Sequence, residues 1–314
     1  MSSTVDGTVR ERSRVSLVRR MARCWQLYLL LIPAVVYIFI FNYMPLYGIQ
    51  IAFRDFSPRR GYLGSPFVGW KYFIRFFSSP DCGRLIRNTL TLSIYTLIVG
   101  FPLPIIIALM LNQCMNLRFR KVVQNAIYAP HFVSMVVLVG MMNVMFSVNS
   151  GVINTLVERM GGQRILFMGQ ADWFPHMYVW SGVWQNMGWN SVIYFAALSA
   201  VSEDLHDAAI VDGASKIQRI FHIDLPTIMP TIIIMLVLQI GQLMNVGFEK
   251  VFLMQNNLNL QTAETIQTYV YKKGLQNADY GYSTAVGLFN NVVNFVLLTT
   301  VNALTRHLGG SSLW

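Results

Sequence analysis

The feature that most constrains this chain is a series of long apolar segments separated by polar connections. A helix that crosses a lipid bilayer needs about 20 mostly apolar residues. Because backbone polar groups in lipid must be paired within the chain, such segments are expected to be helical. The predicted fold class is therefore all-α integral membrane, with six transmembrane helices at about residues 27–47, 88–111, 122–148, 175–200, 226–248 and 283–304.

The composition indicates a surface that is covered largely by lipid. Hydrophobic residues make up 54% of the 314 residues and charged residues 12%, whereas soluble domains carry about 25% charged residues. The three cysteines, Cys24, Cys82 and Cys114, are too far apart for a disulfide framework or a metal site. The sequence has no Gly-rich phosphate-binding loop, so we expect this chain to bind no cofactor and to hydrolyse no ATP.

The net charge of +10 comes from basic residues between the apolar segments, where lipid headgroups explain them more simply than nucleic acid does. If the N-terminus is cytoplasmic, 12 of the 24 Lys and Arg residues fall on each side of the membrane, so their total does not determine the orientation. The short connection 112–121 has three bases and no acid, which favours a cytoplasmic position. The connection 50–87 has seven bases against two acids and opposes this orientation.

A short amphipathic helix is predicted in the connection before the fifth apolar segment. Ser202 is a suitable N-cap, and Glu203 and Asp204 place acids in the first turn. Gly213 can end the helix with a positive φ, and Leu225-Pro226 suits the first turn of the next span. Small and apolar positions recur with helical spacing at Leu205, Ala208, Ala209 and Asp212. Amphipathicity alone fits an ordinary interfacial helix better than a helix that docks into a partner.

The same connection carries a family resemblance. Asp207-Ala208-Ala209, Gly213 after three residues and Ile223-x-Leu225-Pro226 after nine resemble the EAA signature of ABC importer permeases. Asp207 departs from that signature, which usually has Glu at this position. The resemblance implies a coupling helix over 202–216 that sits in a cleft of a cytoplasmic ATPase subunit. The residues implied in ATPase coupling are Glu203, Asp204, Asp207, Ala208, Ala209, Asp212, Gly213, Leu225 and Pro226.

Other motifs extend the resemblance over nearly the whole chain. Arg87-Asn88-Thr89-Leu90 resembles the start of the permease core, and two motifs resemble carbohydrate-uptake members, Tyr128-Ala129-Pro130 and Trp184-Gln185-x-x-Gly188-Trp189. Three segments resemble the branch that imports polysaccharide fragments and includes the larger permease subunit of the alginate importer, namely 265–275, 285–290 and 312–314. The chain is thus identified as a member of the binding-protein-dependent transport permease family, which has the type I ABC importer permease fold.

The resemblance also implies an organisation for the chain and its partners. It implies a multi-pass subunit of the bacterial cytoplasmic (inner) membrane with both termini cytoplasmic. The implied partners are a second permease subunit in a heterodimer, two ATPase subunits that bind ATP and Mg, an extracytoplasmic substrate-binding protein and membrane lipid, but no nucleic acid. The expected regions are a cytoplasmic Arg-rich segment 1–26, a first helix and outer loop 27–86, a permease core of five helices 87–306 and a tail 307–314.

Polar side chains within the apolar segments are candidates for a substrate pathway. They are costly in lipid, and amides both donate hydrogen bonds to sugar hydroxyls and accept them. Gln239, Gln242, Asn245 and Glu249 fall within about 120° on one face of the fifth predicted helix. The fourth and sixth helices add Trp184, Gln185, Asn291 and Asn294. Hydrogen bonding between helices is the alternative role for such residues.

The expected function is a permease subunit that forms the pathway for an oligosaccharide. The net charge of +5 on the outer connection 50–87 predicts an acidic, alginate-like cargo, because positive charge raises the rate of encounter with anions. Lipid headgroups or an acidic binding protein would also explain this charge, and a neutral oligosaccharide stays an alternative. A secondary, ion-coupled sugar transporter would need a buried relay of Asp, Glu or His. A membrane enzyme would need a set of paired catalytic groups. The predicted spans contain almost none of the residues that either class of protein needs.

Overall fold

The computed structural model describes residues 25–307. This part of the chain is helical, and its residues form no strand beyond an isolated bridge between Arg54 and Phe67. The all-α fold class therefore agrees with the prediction. The predicted cytoplasmic segment 1–26 and the predicted tail 307–314 lie outside the described residues, except for their inner ends.

The described residues belong to two compact units, and the first unit extends to Gln50. Helix α1 (Trp25–Ile38) continues into a π-helical turn, Phe39–Tyr43, and a 3₁₀ stretch, Met44–Phe53, whose last three residues belong to the second unit. The whole helical stretch Trp25–Phe53 has 29 residues and is long and apolar enough to cross a membrane. It corresponds to the first predicted span.

The second unit begins at Ile51 and contains the other helices. In chain order these are α2 (Gly61–Gly64), α3 (Lys71–Phe77), α4 (Pro80–Gly100), α5 (Pro102–Asn112), α6 (Leu117–Tyr128), α7 (Met135–Met145), α8 (Val152–Arg159), α9 (Phe174–Leu198), α10 (Glu203–Val211), α11 (Lys216–Arg219), α12 (Leu225–Ile240), α13 (Phe248–Met254), α14 (Leu260–Ala263), α15 (Ile266–Tyr271) and α16 (Tyr280–His307). Side-chain caps start several of them. Ser79 accepts a hydrogen bond from the amide of Asp81 before α4, and Asn116 caps α6.

Four helical stretches in the described part of the chain are long and apolar enough to cross a membrane, and a bent pair of helices is a fifth candidate. Besides the stretch in the first unit, they are Pro80–Asn112, Lys216–Ile240 and Tyr280–His307. Helix α9 is 25 residues long, but its Trp, Asn and Gln side chains make it less apolar. The count of six spans therefore stays a prediction.

The third predicted span is bent, which the sequence interpretation did not anticipate. The stretches Leu117–Phe132 and Met135–Met145 meet at 98°. Pro130 lacks an amide hydrogen and cannot continue a helical ladder. Ser134 then accepts a hydrogen bond from the amide of Val137 and starts a new helix.

The fifth predicted span is shorter than expected. Helix α12 ends at Ile240, and turns lead from there to the start of α13. Gly241 lies against α16, where an added Cβ would come within 2.6 Å of the Leu298 side chain. The amide of Met244 donates to Oδ1 of Asn294 at 2.9 Å instead of to a helical carbonyl. Polar residues expected on one helix face therefore lie partly on a turn.

Three apolar clusters hold the second unit together. The first joins α4, α9 and α13 around Val179 and Val251. The second joins α3, α4 and α16 around Phe76 and Tyr282, and the third joins α5, α9 and α12 around Ile228. Helix α9 takes part in two of these clusters, and it borders both candidate sites described below.

Candidate functional site

The connection between α9 and α12 contains the predicted short helix. The Oγ of Ser202 accepts a hydrogen bond from the amide of Asp204 at 3.3 Å, and α10 follows. Gly213 then adopts a φ of +80°, a region that disfavours side chains with a Cβ. The predicted N-cap and the predicted glycine conformation are confirmed.

A second cap restarts the helix before the next span. The Oγ of Ser215 accepts from the amide of Gln218 at 3.3 Å, and Oε1 of Gln218 accepts from the amide of Ser215 at 2.7 Å. This reciprocal capping box begins α11. A π-helical turn, Ile220–Asp224, leads directly into α12, which has Pro226 in its first turn. Helix α11, this turn and α12 are thus one continuous helical path.

The surface of α10 exposes large apolar side chains. Leu205 is 54% exposed, Ile210 52% and Val211 88%. Of the nine residues predicted for ATPase coupling, Ala209 and Leu225 are half-buried and the other seven are exposed. An apolar surface on a short helix between charged residues is typical of a surface that a partner or a membrane interface covers.

A buried carboxylate connects α10 to the neighbouring spans. Asp224 has no exposed surface, and its Oδ2 accepts a hydrogen bond from Nε2 of Gln113 at 2.8 Å. Its Oδ1 lies 3.2 Å from Nε2 of His206 on α10, a contact that is an ion pair when the imidazole is protonated and that does not have the geometry of a hydrogen bond. Sequence reasoning assigned no role to these three residues. An acid immediately before Leu225-Pro226 and an apolar span is the signal that could have identified Asp224.

A cavity of about 710 Å³ opens among α4, α9, α12 and α13. Apolar residues from these helices form much of its wall, and amide side chains project from several elements. Such a mixture of apolar surface and a few polar groups is typical of small-molecule sites. The amide-bearing residues that line the cavity are Gln185, Asn186, Asn190, Gln239, Gln242 and Asn245, and its two charged residues are Glu249 and Lys250.

Five of the eight predicted pathway residues border this cavity, namely Gln185, Gln239, Gln242, Asn245 and Glu249. Gln242, Asn245 and Glu249 do not lie on the same helix as Gln239, because α12 ends at Ile240. Nδ2 of Asn245 donates to Oε1 of Gln242 at 2.5 Å. Oδ1 of Asn245 accepts from Gln267 and from Asn290, each at 3.1 Å. The amides are thus joined in a network that holds the turn in place.

The other three predicted pathway residues lie elsewhere. Trp184 and Asn291 are exposed and are not among the residues that line the cavity. Asn294 is buried and accepts the hydrogen bond from the amide of Met244, which is a structural role. Gln185 borders the cavity but also donates to the carbonyl of Val133 at 2.8 Å, and so it supports the bend between α6 and α7.

Lys250 is a cavity residue that sequence reasoning did not identify. It is only 4% exposed, and its Nζ donates a hydrogen bond to the carbonyl of Tyr178 at 2.7 Å. The same Nζ lies 4.7 Å from the centroid of the Tyr178 ring. A lysine just beyond the end of an apolar segment normally extends to the lipid headgroups. The turn after α12 instead directs this lysine into the core.

Residues 100–310 match the sequence family described as the inner membrane component of binding-protein-dependent transport systems. The chain belongs to this permease family. The permease is 44% identical over 292 residues to the protein LplB of Bacillus subtilis (strain 168), with 93% of this chain and 92% of the relative covered. It is 39% identical over 311 residues to YteP of the same organism, a polygalacturonan/rhamnogalacturonan transport system permease protein, with 99% and 97% covered.

A solved structure has the same fold as the permease. One chain in the crystal structure of a bacterial alginate ABC transporter, in complex with an alginate pentasaccharide-bound periplasmic protein, matches it with a TM-score of 0.87. The two chains are 37% identical, and the match covers 95% of this permease and 99% of that chain. The predicted family and the type I ABC importer permease fold are confirmed. The chain is a sugar ABC importer permease of the inner membrane.

Ion pairs neutralise part of the basic connection 50–87 of the permease. Arg75 pairs with Asp279 at 2.9 Å, and Arg84 pairs with Asp81 at 2.7 Å and with Glu264 at 2.8 Å. The charge that this connection can offer to an anion is therefore smaller than its composition suggests. Among the described residues, no acid pairs with its other bases, Arg54, Arg59, Arg60, Lys71 and Arg87.

Tyr72 is a buried residue of the connection 50–87. Its hydroxyl donates a hydrogen bond to Oδ1 of Asp55 at 2.8 Å. Burial, and next the hydrogen bond to Asp55, raise the pKa of Tyr72 to about 12, so the hydroxyl remains a donor at neutral pH. Both acids of this connection, Asp55 and Asp81, thus have partners inside the protein.

Proposed function

We propose that the permease forms the translocation pathway for an oligosaccharide that an extracytoplasmic binding protein delivers to an ATP-driven importer. The observation that carries this proposal is the amide-lined cavity among α4, α9, α12 and α13 in a chain of this family. Amides can donate hydrogen bonds to sugar hydroxyls and accept hydrogen bonds from them. The apolar wall would contact the sugar rings, while residues such as Gln242 and Asn190 orient their hydroxyls.

We further propose that α10 docks on a cytoplasmic ATPase subunit and that both termini are cytoplasmic. The exposed apolar side chains of α10 support the docking, since Leu205, Ile210 and Val211 would be covered by a partner. The contact from His206 to Asp224 would carry a movement of α10 into α12 and so towards the cavity. The complete importer would contain a second, different permease and two ATPase subunits that bind ATP and Mg.

We propose an acidic, alginate-like oligosaccharide as the cargo. Two of the similar proteins support this choice, since one belongs to a polygalacturonan/rhamnogalacturonan system and the other to an alginate transporter. Uronic-acid polymers of this kind carry a carboxylate on their sugar rings. The bases of the outer connection that lack an acidic partner would attract such anions, although salt screens the effect. A neutral oligosaccharide is the alternative cargo.

A gene deletion in the native host, complemented with an affinity-tagged chain, tests this function. We expect the deletion to abolish uptake of a labelled uronate oligosaccharide and the tagged chain to restore it. The tagged chain should also co-purify with an ATPase subunit. Uptake that survives ATP depletion but collapses with the ion gradient would contradict the proposal and favour a secondary transporter. A matched neutral oligosaccharide, measured in parallel, decides between the two cargo classes.

A further inference from the structure

We propose that Lys250 binds a carboxylate of the translocated oligosaccharide inside the cavity and thereby selects sugar acids over neutral sugars. This inference rests on the proposed function and adds a specificity-determining residue to it. It is independent of the bases on the outer connection, because Lys250 lies on α13 within the wall of the cavity.

The environment of the amino group leaves it able to bind a further acceptor. An ammonium has three N–H donors, and one of them is used by the carbonyl of Tyr178 at 2.7 Å. No other described residue accepts a hydrogen bond from Nζ, and no described acid lies within ion-pair distance of it. Two donors of Lys250 therefore have no acceptor in the described part of the chain.

Lys250 lines the cavity beside a residue without a side chain. Gly182 also lines the cavity, and a Cβ added to it would come 3.0 Å from Nζ of Lys250. The missing side chain at Gly182 thus lets the amino group lie close to the backbone of α9, at the wall of the cavity. The aromatic ring of Tyr178, 4.7 Å from Nζ, covers another side and supports the positive charge through its π face.

The energetics of a buried ammonium favour an anionic ligand. Burial lowers the pKa of Lys250 to about 7, because a carbonyl and an aromatic ring replace the water around its ammonium only in part. A carboxylate would supply both a counter-charge and charge-assisted hydrogen bonds. A neutral hydroxyl would supply a hydrogen bond but no counter-charge. Lys250 therefore creates a larger difference in affinity between a uronate and the corresponding neutral sugar than an uncharged donor could.

The other charged residue of the cavity does not neutralise Lys250. Glu249 is exposed and precedes Lys250 on α13, and consecutive helical residues point in different directions. Its carboxylate forms no ion pair with a described base. Glu249 is suited to accept hydrogen bonds from sugar hydroxyls, whereas Lys250 and the neighbouring amides Asn186 and Asn245 provide donors on the wall.

The test uses the intact importer with Lys250→Gln and Lys250→Arg. Glutamine retains an N–H donor for the carbonyl of Tyr178 but removes the charge, while arginine retains the charge. Uptake of a uronate oligosaccharide is compared with uptake of its carboxyl-reduced counterpart of the same length. We expect Lys250→Gln to raise KM for the uronate about tenfold, which is equivalent to about 1.4 kcal/mol of binding free energy. Uptake of the carboxyl-reduced sugar should stay near the wild-type value. Lys250→Arg should preserve part of the preference.

A matched control is Lys273→Gln, because Nζ of Lys273 also lies over a tyrosine ring, 5.4 Å from the centroid of Tyr269, but outside the cavity. It should leave the preference unchanged. The proposal would be overturned if Lys250→Gln lowered the uptake of both sugars equally, or if it lowered the uptake of neither. The proposal would also be overturned if the purified Lys250→Gln complex lacked the second permease. That result would mean that Lys250 contacts the second permease and not the sugar. ATP-dependent uptake of only the neutral sugar by the wild type would overturn this inference but not the importer function.

Discussion

Oδ1 of Asp224 lies 3.2 Å from Nε2 of His206, and this contact joins α10 to the turn that leads into α12. Gln113, next to the end of α5, donates to the other carboxylate oxygen at 2.8 Å. Because Asp224 is fully buried, its carboxyl group contacts these two side chains in place of water. A displacement of α10 by a partner subunit would therefore move the first turn of α12 and the end of α5 together.

The first prediction concerns the charge at this junction. Asp224→Asn keeps the size of the side chain and an acceptor for Gln113, but it removes the charge that attracts His206. Because His206 then loses its attraction to the turn before α12, we expect sugar uptake per ATP hydrolysed to fall by about tenfold, a change equivalent to about 1.4 kcal/mol. The measurement is uptake and ATPase activity of the reconstituted importer. Asp172→Asn is the control, since Asp172 is exposed and pairs with no described base. An unchanged ratio would refute a coupling role for Asp224.

The second prediction concerns the turn after α10. Gly213→Trp should leave membrane insertion intact but lower both uptake and substrate-stimulated ATPase activity. Gly61→Trp is a matched control in the connection 50–87, because Gly61 has a φ of +66° and Gly213 has +80°, and an added Cβ meets nothing within 4 Å at either site. Each substitution carries a backbone cost of about 1–2 kcal/mol. Normal uptake in Gly213→Trp, or equal loss in both variants, would show that α10 is not the coupling helix.

Local chemistry explains why several features were predictable from the sequence. The apolar segments mark long helices such as Pro80–Asn112 and Tyr280–His307, because length and hydropathy alone decide whether a helix can cross a membrane. Ser202 and Gly213 mark the ends of α10, since a cap and a positive φ each require particular residue types. The family signature at Asp207 rests on the same local spacing.

Other features depend on contacts between distant parts of the chain and were not predictable. Pro130 indicates a break in the third span, but its sequence does not show the angle of 98° or the hydrogen bond that Gln185 of α9 donates to the bend at Val133. The end of α12 at Ile240 depends on the hydrogen bond between Met244 and Asn294, which are 50 residues apart in sequence. The sequence places Lys250 just beyond the fifth apolar segment, where a lysine is expected at the membrane surface and not in a cavity. Its position follows from a turn that the apolar pattern does not show.

The third prediction tests the close contact between α6 and α9. A Cβ added to Gly188 would clash with the carbonyl oxygen of Ile127, so the backbone would have to move. We expect Gly188→Ala to destabilise the permease by about 1–3 kcal/mol, as overpacking does elsewhere, and to lower its melting temperature and its yield in the membrane. Gly140→Ala on α7 is the control, because an added Cβ there meets nothing within 4 Å. An unchanged melting temperature for Gly188→Ala would show that the two helices are not in tight contact.

The fourth prediction concerns an ion-pair network that joins α4 to the chain after α14. Glu264 is 8% exposed and contacts Arg84 at 2.8 Å and Lys272 at 3.0 Å. Glu264→Gln leaves both bases without their shared counter-charge. Because the bases are partly exposed, we expect the free energy of unfolding to fall by about 1–2 kcal/mol, which lies between the values for exposed and for buried ion pairs. Thermal unfolding of the purified permease complex in detergent should show a lower melting temperature. Glu158→Gln is the control, since Glu158 and Arg164 form a solvent-exposed pair at 2.8 Å and its loss should have little effect. Equal shifts in the two variants would show that the Glu264 network contributes no more than a surface ion pair.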